Sequence, residues 1–84
     1  MNPQVKIVTP QPGYRLLLRF ANDETRLFDL TPYLDKGVFR QLRDPADFAR
    51  AAVVAGGVEW PCEVDLSYDT LYLRSVPVKA AAAA

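Results

Sequence analysis

The apolar positions along this chain change their spacing several times, and each change marks an element. From Tyr14 to Phe20 they alternate. Tyr14, Leu16, Leu18 and Phe20 fall on one side of an extended chain, and Arg15, Leu17 and Arg19 on the other. A period of two predicts a half-buried strand. Val5 to Thr9 reads as a shorter strand, with Val5 and Ile7 on one face, ended by Pro10, Pro12 and Gly13. Thr25 to Leu30 is the next strand, after a turn at Ala21-Asn22-Asp23.

The register of this hairpin follows from its charges. A two-residue turn would set Arg19 opposite Arg26, two like charges face to face. A three-residue loop sets Leu16 opposite Phe28 and Tyr14 opposite Leu30 on one face, and Arg15 opposite Asp29 on the other. Such loops commonly pair a type I turn with a left-handed residue. Asp23 would be that residue, and Asp tolerates the conformation better than most.

A helical spacing replaces the alternation after Leu30. Thr31-Pro32 starts a turn, with Thr31 as cap and Pro32 at the first helical position. Leu34, Val38, Phe39 and Leu42 follow, but Gly37 interrupts them, which predicts two short helices rather than one. Asp44-Pro45-Ala46-Asp47 repeats the start signal, with Phe48 as its core residue. Ala52 to Ala55 and Val58 to Trp60 read as a second hairpin turning at Gly56-Gly57, and Pro61 ends it. Ser67 can cap a last helical turn carrying Leu71 and Tyr72, or Leu71-Tyr72-Leu73 can run as a strand. Val76-Pro77-Val78 closes the domain, and residues 79–84, Lys79 with five alanines, read as a disordered or appended tail. The expectation is a single α+β domain over 1–78: a small antiparallel sheet built from two hairpins, with two or three short helices between and after them.

Composition narrows the chemistry. The chain has 84 residues, enough for one domain that buries roughly 60–65% of its unfolded surface. One Cys excludes an internal disulfide and fits a reducing compartment. No signal pattern opens the chain and no apolar run is long enough to span a bilayer, so a cytoplasmic protein without membrane contact is expected. Ten basic and ten acidic residues cancel, which removes the basic excess of a general nucleic-acid binder. There is no His, which excludes Ser-His-Asp and Cys-His catalysis as usually built and the commonest transition-metal ligand.

Each remaining candidate has a plain alternative. Asp29 and Asp65 share the outline Phe-Asp-Leu and Val-Asp-Leu and could act as an acid–base pair, but each also precedes a helix start and can satisfy free backbone donors there. Cys62 would need a cationic neighbour to become reactive, and its neighbours are Pro61 and Glu63. Gly56-Gly57 is too short for a phosphate loop. Trp60 either anchors a partner or fills the core. The arginines, Arg15, Arg19 and Arg26 on the hairpin and Arg40, Arg43 and Arg50 on the helical segment, have acids nearby and read as solvated faces. Leu17 and Leu27 lie on the outward hairpin face among charges, an arrangement that can mark a subunit contact unless the N-terminus covers it. The candidate interaction surface is therefore Arg15, Leu17, Arg19, Leu27 and Trp60. No residue is assigned to catalysis, a cofactor or a metal.

The ordered set of motifs resembles a small bacterial family called domain of unknown function 2442, over about Val5 to Arg74. Its pieces here are Tyr14, Leu16, Phe20, Phe28-Asp29-Leu30, Gly37-Val38-Phe39, Leu42, Asp44-Pro45, Phe48, Trp60-Pro61, Asp65-Leu66 and Leu71-Tyr72. The chain departs from the pattern at Asp23, where the family tends to have Gly, and at Cys62-Glu63-Val64, where Gly or Asn often precedes the Asp. The resemblance implies an α+β fold that precedes a helix-turn-helix domain in some longer proteins. It also implies stand-alone members paired with a second small protein, for which an antitoxin-like role has been suspected, and it supplies no catalytic residues. The expectations are a non-enzymatic interaction module working as a homodimer or with a small protein partner, then a small-ligand sensor around Trp60 and Tyr72, then an enzyme using Asp29 or Asp65.

Overall fold

The computed structural model describes residues 2–78, and the tail assigned to 79–84 lies outside the described residues. In chain order the elements are β1 (Val5–Gln11), β2 (Arg15–Phe20), β3 (Thr25–Asp29), two 3-10 turns (Thr31–Tyr33 and Gly37–Arg43), helix α1 (Pro45–Phe48), β4 (Ala52–Val54), β5 (Gly57–Trp60), β6 (Val64–Leu66), helix α2 (Tyr68–Arg74) and β7 (Val76–Pro77). The architecture is α+β, as the patterning predicts. The strands divide between two antiparallel sheets, one of four strands in the order β1-β2-β3-β7 and one of three in the order β4-β5-β6.

The β2–β3 register is the one that the charges select. Arg15 faces Asp29, Leu16 faces Phe28, and Arg19 is set against Thr25 rather than Arg26. The loop is Ala21-Asn22-Asp23, closed by the Asp23 N–H on the Phe20 carbonyl at 2.9 Å, with Asp23 left-handed at φ 69°. The β5–β6 connection repeats this geometry. Trp60 faces Val64 across Pro61-Cys62-Glu63, the Glu63 N–H meets the Trp60 carbonyl at 3.1 Å, and Glu63 is left-handed at φ 65°. Pro61 thus opens a hairpin loop, where its fixed φ suits a type I turn.

Several local expectations change. Pro10, read as ending the first strand, lies inside β1 and pairs with Leu16. Tyr14, read as the first residue of the second strand, stands in the turn before β2 with φ 61°. Val5 and Ile7 do not share a face, because the β1–β2 register shifts between them. This bulge at Lys6 leaves Val5 in the core and turns Ile7 outward, 54% exposed. The second hairpin turns at Ala55-Gly56, with φ of 50° and 83°, as a two-residue hairpin turn requires, and Gly57 belongs to β5. Thr31 is not a cap. It lies inside the 3-10 turn, and the Asp29 carboxylate accepts from its N–H at 3.0 Å and its hydroxyl at 2.7 Å. Elsewhere the start signals hold. Asp44 accepts from the Ala46 N–H at 2.9 Å, and Ser67 accepts from Thr70 N–H ahead of α2, which settles residues 68–74 as a helix.

The core is one cluster that draws on both sheets. β2 contributes Leu16, Leu18 and Phe20, and the second sheet contributes Val58, Trp60, Val64 and Leu66. Leu42, Phe48 and Leu71 fill in from the helical segments. The Val5 N–H joins the sheets at 2.8 Å from the Gly56 carbonyl. Among the described residues, no helix is long and apolar enough to cross a membrane.

Candidate interaction surface

The two faces of the four-stranded sheet have different surroundings. Its inner face carries the β2 core residues with Phe28, and α2 packs on it through Tyr72, whose ring meets Phe20 edge-on at 5.1 Å. Its outer face is made by Ile7 and Thr9 on β1, Arg15, Leu17 and Arg19 on β2, Thr25, Leu27 and Asp29 on β3, and Val76 on β7. The ladder aligns Thr9, Leu17, Leu27 and Val76 in one row across all four strands. Val76 is 60% exposed, and Leu17 and Leu27 are half-buried yet take no part in the core cluster. Residues 2–4 lead away from this face, since Asn2 donates to Asp69 at 2.9 Å and the Gln4 carbonyl accepts from the Ala21 N–H.

Charges flank the apolar row. Arg19 meets Asp23 at 3.6 Å, with both side chains well exposed. Arg15 stands opposite Asp29. Asp29 is held below the usual carboxylate range, first by the Thr31 hydroxyl and then by the Thr31 N–H, with Arg15 adding to the effect. Both Thr31 bonds go to Oδ1, and Oδ2 has no hydrogen-bond donor among the described residues.

Trp60 does not belong to this surface. It is 2% exposed, its ring packs against Phe48, and its indole N–H donates to the Phe48 carbonyl at 2.9 Å. A lone Trp in a small domain is the largest volume available to fill the centre, and its N–H has found the partner that burial demands. Tyr72 is also engaged. Its hydroxyl donates to Glu24 Oε2 at 2.6 Å, its ring carries the Arg26 guanidinium 4.4 Å from the centroid, and Arg26 reaches on to Ser75 Oγ and carbonyl, both at 2.8 Å. Arg26 faces away from Arg15 and Arg19, and this closed network ties β3 to α2 and β7.

The carboxylates of the enzyme reading lie apart in the fold. Asp29 is on β3 of one sheet and is engaged by Thr31, while Asp65 is on β6 of the other, opposite Glu59. Glu59 and Asp65 line a shallow groove with Ser67 and Tyr68. Among the described residues, no group of three or more His, Cys, Asp or Glu side chains could hold a metal ion. Cys62 is half-buried in a cleft whose charged walls are Asp47 and Arg50. A further cleft of about 300 Å³ is lined by Pro10, Pro12, Gly13, Tyr14, Pro45 and Phe48. Tyr14 there is left-handed at φ 61°, and its hydroxyl donates to the Arg43 carbonyl. Trp60 and Tyr72 line none of these clefts. Sequence reasoning missed the Tyr14 cleft, because Pro10, Pro12 and Gly13 read only as strand breakers.

Neither the curated proteins nor the solved structures contain a match to this chain. The family model described as "Protein of unknown function (DUF2442)" matches residues 5–77, nearly the whole chain and every element of both sheets, and the chain belongs to that family.

Proposed function

We propose that this chain is a non-enzymatic protein-interaction module of the regulatory or antitoxin-like kind, working as a homodimer or with a second small protein, and that it docks through the outer face of its four-stranded sheet. The observation that carries the reading is the row Thr9–Leu17–Leu27–Val76, with Ile7 beside it. Leu17, Leu27 and Val76 with Ile7 put an apolar side chain on every strand of a sheet whose outer face no described segment covers. A sheet with one bare apolar band gains free energy when another layer covers it. The charged residues beside the band, Arg15, Arg19 and Asp29, suit the polar rim of an interface. The single Cys and neutral balance suit a cytoplasmic protein that engages neither nucleic acid nor membrane and needs no cofactor.

The test is co-expression with the product of the adjacent gene, followed by native mass measurement. The wild-type chain should appear in an assembly, and a Leu17→Glu/Leu27→Glu variant should run free while keeping its far-ultraviolet spectrum. A double variant that still assembles would remove the outer face from the account.

A second reading, a small-ligand sensor, is favoured by the proline-lined cleft at Tyr14 rather than by Trp60 and Tyr72. A non-glycine aromatic held left-handed is uncommon and is the kind of backbone strain that gathers at ligand sites. Ligand-dependent shifts of the Tyr14 and Phe48 ring resonances in a screen of small apolar metabolites would support it, and a screen without shifts would count against it.

A further inference from the structure

We infer that the outer face of the four-stranded sheet docks onto the same face of a second copy of this chain, about a two-fold axis that runs along the strands between β2 and β3. The inference rests on the docking role proposed for that face and names its occupant.

The register of the sheet makes the face complementary to itself in this one orientation. A two-fold axis parallel to the strands and lying in the interface exchanges β2 with β3 and β1 with β7, keeping each residue at its height along the strand. Residues paired within the sheet then meet across the interface. Leu17 covers Leu27 of the second copy, and Thr9 comes over its Val76. Arg15 comes over the second copy's Asp29, and Arg19 over its Thr25. By symmetry each contact occurs twice. Two Arg–Asp pairs therefore lie side by side at one end of the leucine contacts, the two Arg19–Thr25 contacts lie at the other end, and no like charges are set directly opposite each other.

The alternative axis, across the strands, fails on the same residues. It lays β2 on β2 and brings Arg15 over the second copy's Arg19, twice, with Leu17 between them. Opposed like charges at an interface act against that geometry. Asp29 can serve both roles in the favoured one, because Thr31 takes Oδ1 and leaves Oδ2 to an incoming guanidinium. Arg15 has no ion-pair partner within 4 Å among the described residues.

The size of the face sets the strength. Strands about 4.8 Å apart and residues about 3.4 Å apart give this sheet a face of roughly 300–400 Å² in projection, raised by the relief of its side chains. A stable interface uses about 800 Å² per partner. The pair is therefore weak and concentration-dependent, the two sheets packed about 10 Å apart like the layers of a sandwich.

Sedimentation equilibrium of the full chain tests this, with charge reversals to fix the orientation. The wild type should pass from its monomer mass of 9.4 kDa to twice that as concentration rises. Leu17→Glu should hold it at the monomer mass, and Leu73→Glu, on the exposed side of α2, should leave the transition unmoved. Arg15→Glu alone and Asp29→Arg alone should each weaken self-association at least tenfold. Mixing those two variants should restore it, because each then carries the partner charge for the other at both pairs. Arg15→Glu leaves the Thr31 contacts intact, so its result stands even where Asp29→Arg lowers stability. A chain that stays monomeric at every concentration overturns self-docking, while the co-expression experiment judges the docking role of the face separately. A dimer that Leu17→Glu does not weaken, or charge variants that fail to complement, also overturn it.

Discussion

Glu24, Arg26, Tyr72 and Ser75 hold one another in a way that pH can test. The Tyr72 hydroxyl bond is the main cause that lowers the Glu24 carboxyl below its ordinary value of 4.5, and the same bond is the main cause that raises the Tyr72 phenol. A lowered carboxyl contributes stability above its unfolded value and loses it as pH falls through the folded value. A raised phenol contributes below its unfolded value and loses it as pH rises through the folded one. Tyr72→Phe should therefore flatten both limbs of a melting-temperature profile, below about pH 4.5 and above about pH 10, relative to the wild type. The acid limb should not vanish, because Asp29 is also lowered, by Thr31. Parallel profiles for the two proteins would mean that the bond is not made in solution. Only part of this cluster could be read in the sequence. The hairpin register placed Arg26 on the face away from Arg15, but Tyr72 and Ser75 lie 46 and 49 residues further on, and no local periodicity links them to it.

The loops carry the clearest lessons at the scale of elements. The β2–β3 loop was legible because an electrostatic conflict, Arg19 against Arg26, excluded the competing turn. The β5–β6 loop has the same backbone but gave no such signal. Its left-handed residue is Glu63, a type that rarely marks a turn, and β6 behind it is only three residues long. A left-handed non-glycine residue costs about 1–2 kcal/mol, and glycine carries an entropic cost of about 0.5–1 kcal/mol. Glu63→Gly should therefore stabilise the fold by roughly 0.5 kcal/mol in urea unfolding, and a loss of stability would place the strain elsewhere. Gly57 behaves in the opposite way. A Cβ there would lie 2.6 Å from the Leu66 carbonyl oxygen on β6, a backbone atom that cannot swing aside. Gly57→Ala should cost about 1–3 kcal/mol in the same assay, and a neutral result would mean that β5 and β6 are further apart than described. The bulge at Lys6 was illegible for a related reason. Strict alternation put Ile7 on the same face as Val5, and one inserted residue turned it to the other.

For the molecule as a whole, patterning specified the α+β class and most of the core but not the division into two sheets. Which strands share a sheet is decided by non-local pairing, such as β7 returning to β3, and a two-residue strand leaves little trace in a sequence. The outer face was half legible. Leu17 and Leu27 stood out among charges, while Ile7 and Val76, which complete the band, needed the bulge and the return of β7 to bring them alongside. Trp60, the most conspicuous residue in the sequence, is buried at the centre. The family is described as one of unknown function, and the proposed docking site is a sheet face. The most direct test is a dilution series on the full chain with labelled methyl groups. The resonances of Leu17 and Leu27 should move with concentration while those of Leu16 and Leu18, neighbours on the same strand but facing the core, stay fixed. Methyl resonances that do not respond to concentration, or that respond at Leu73 and Val54 instead, would contradict it.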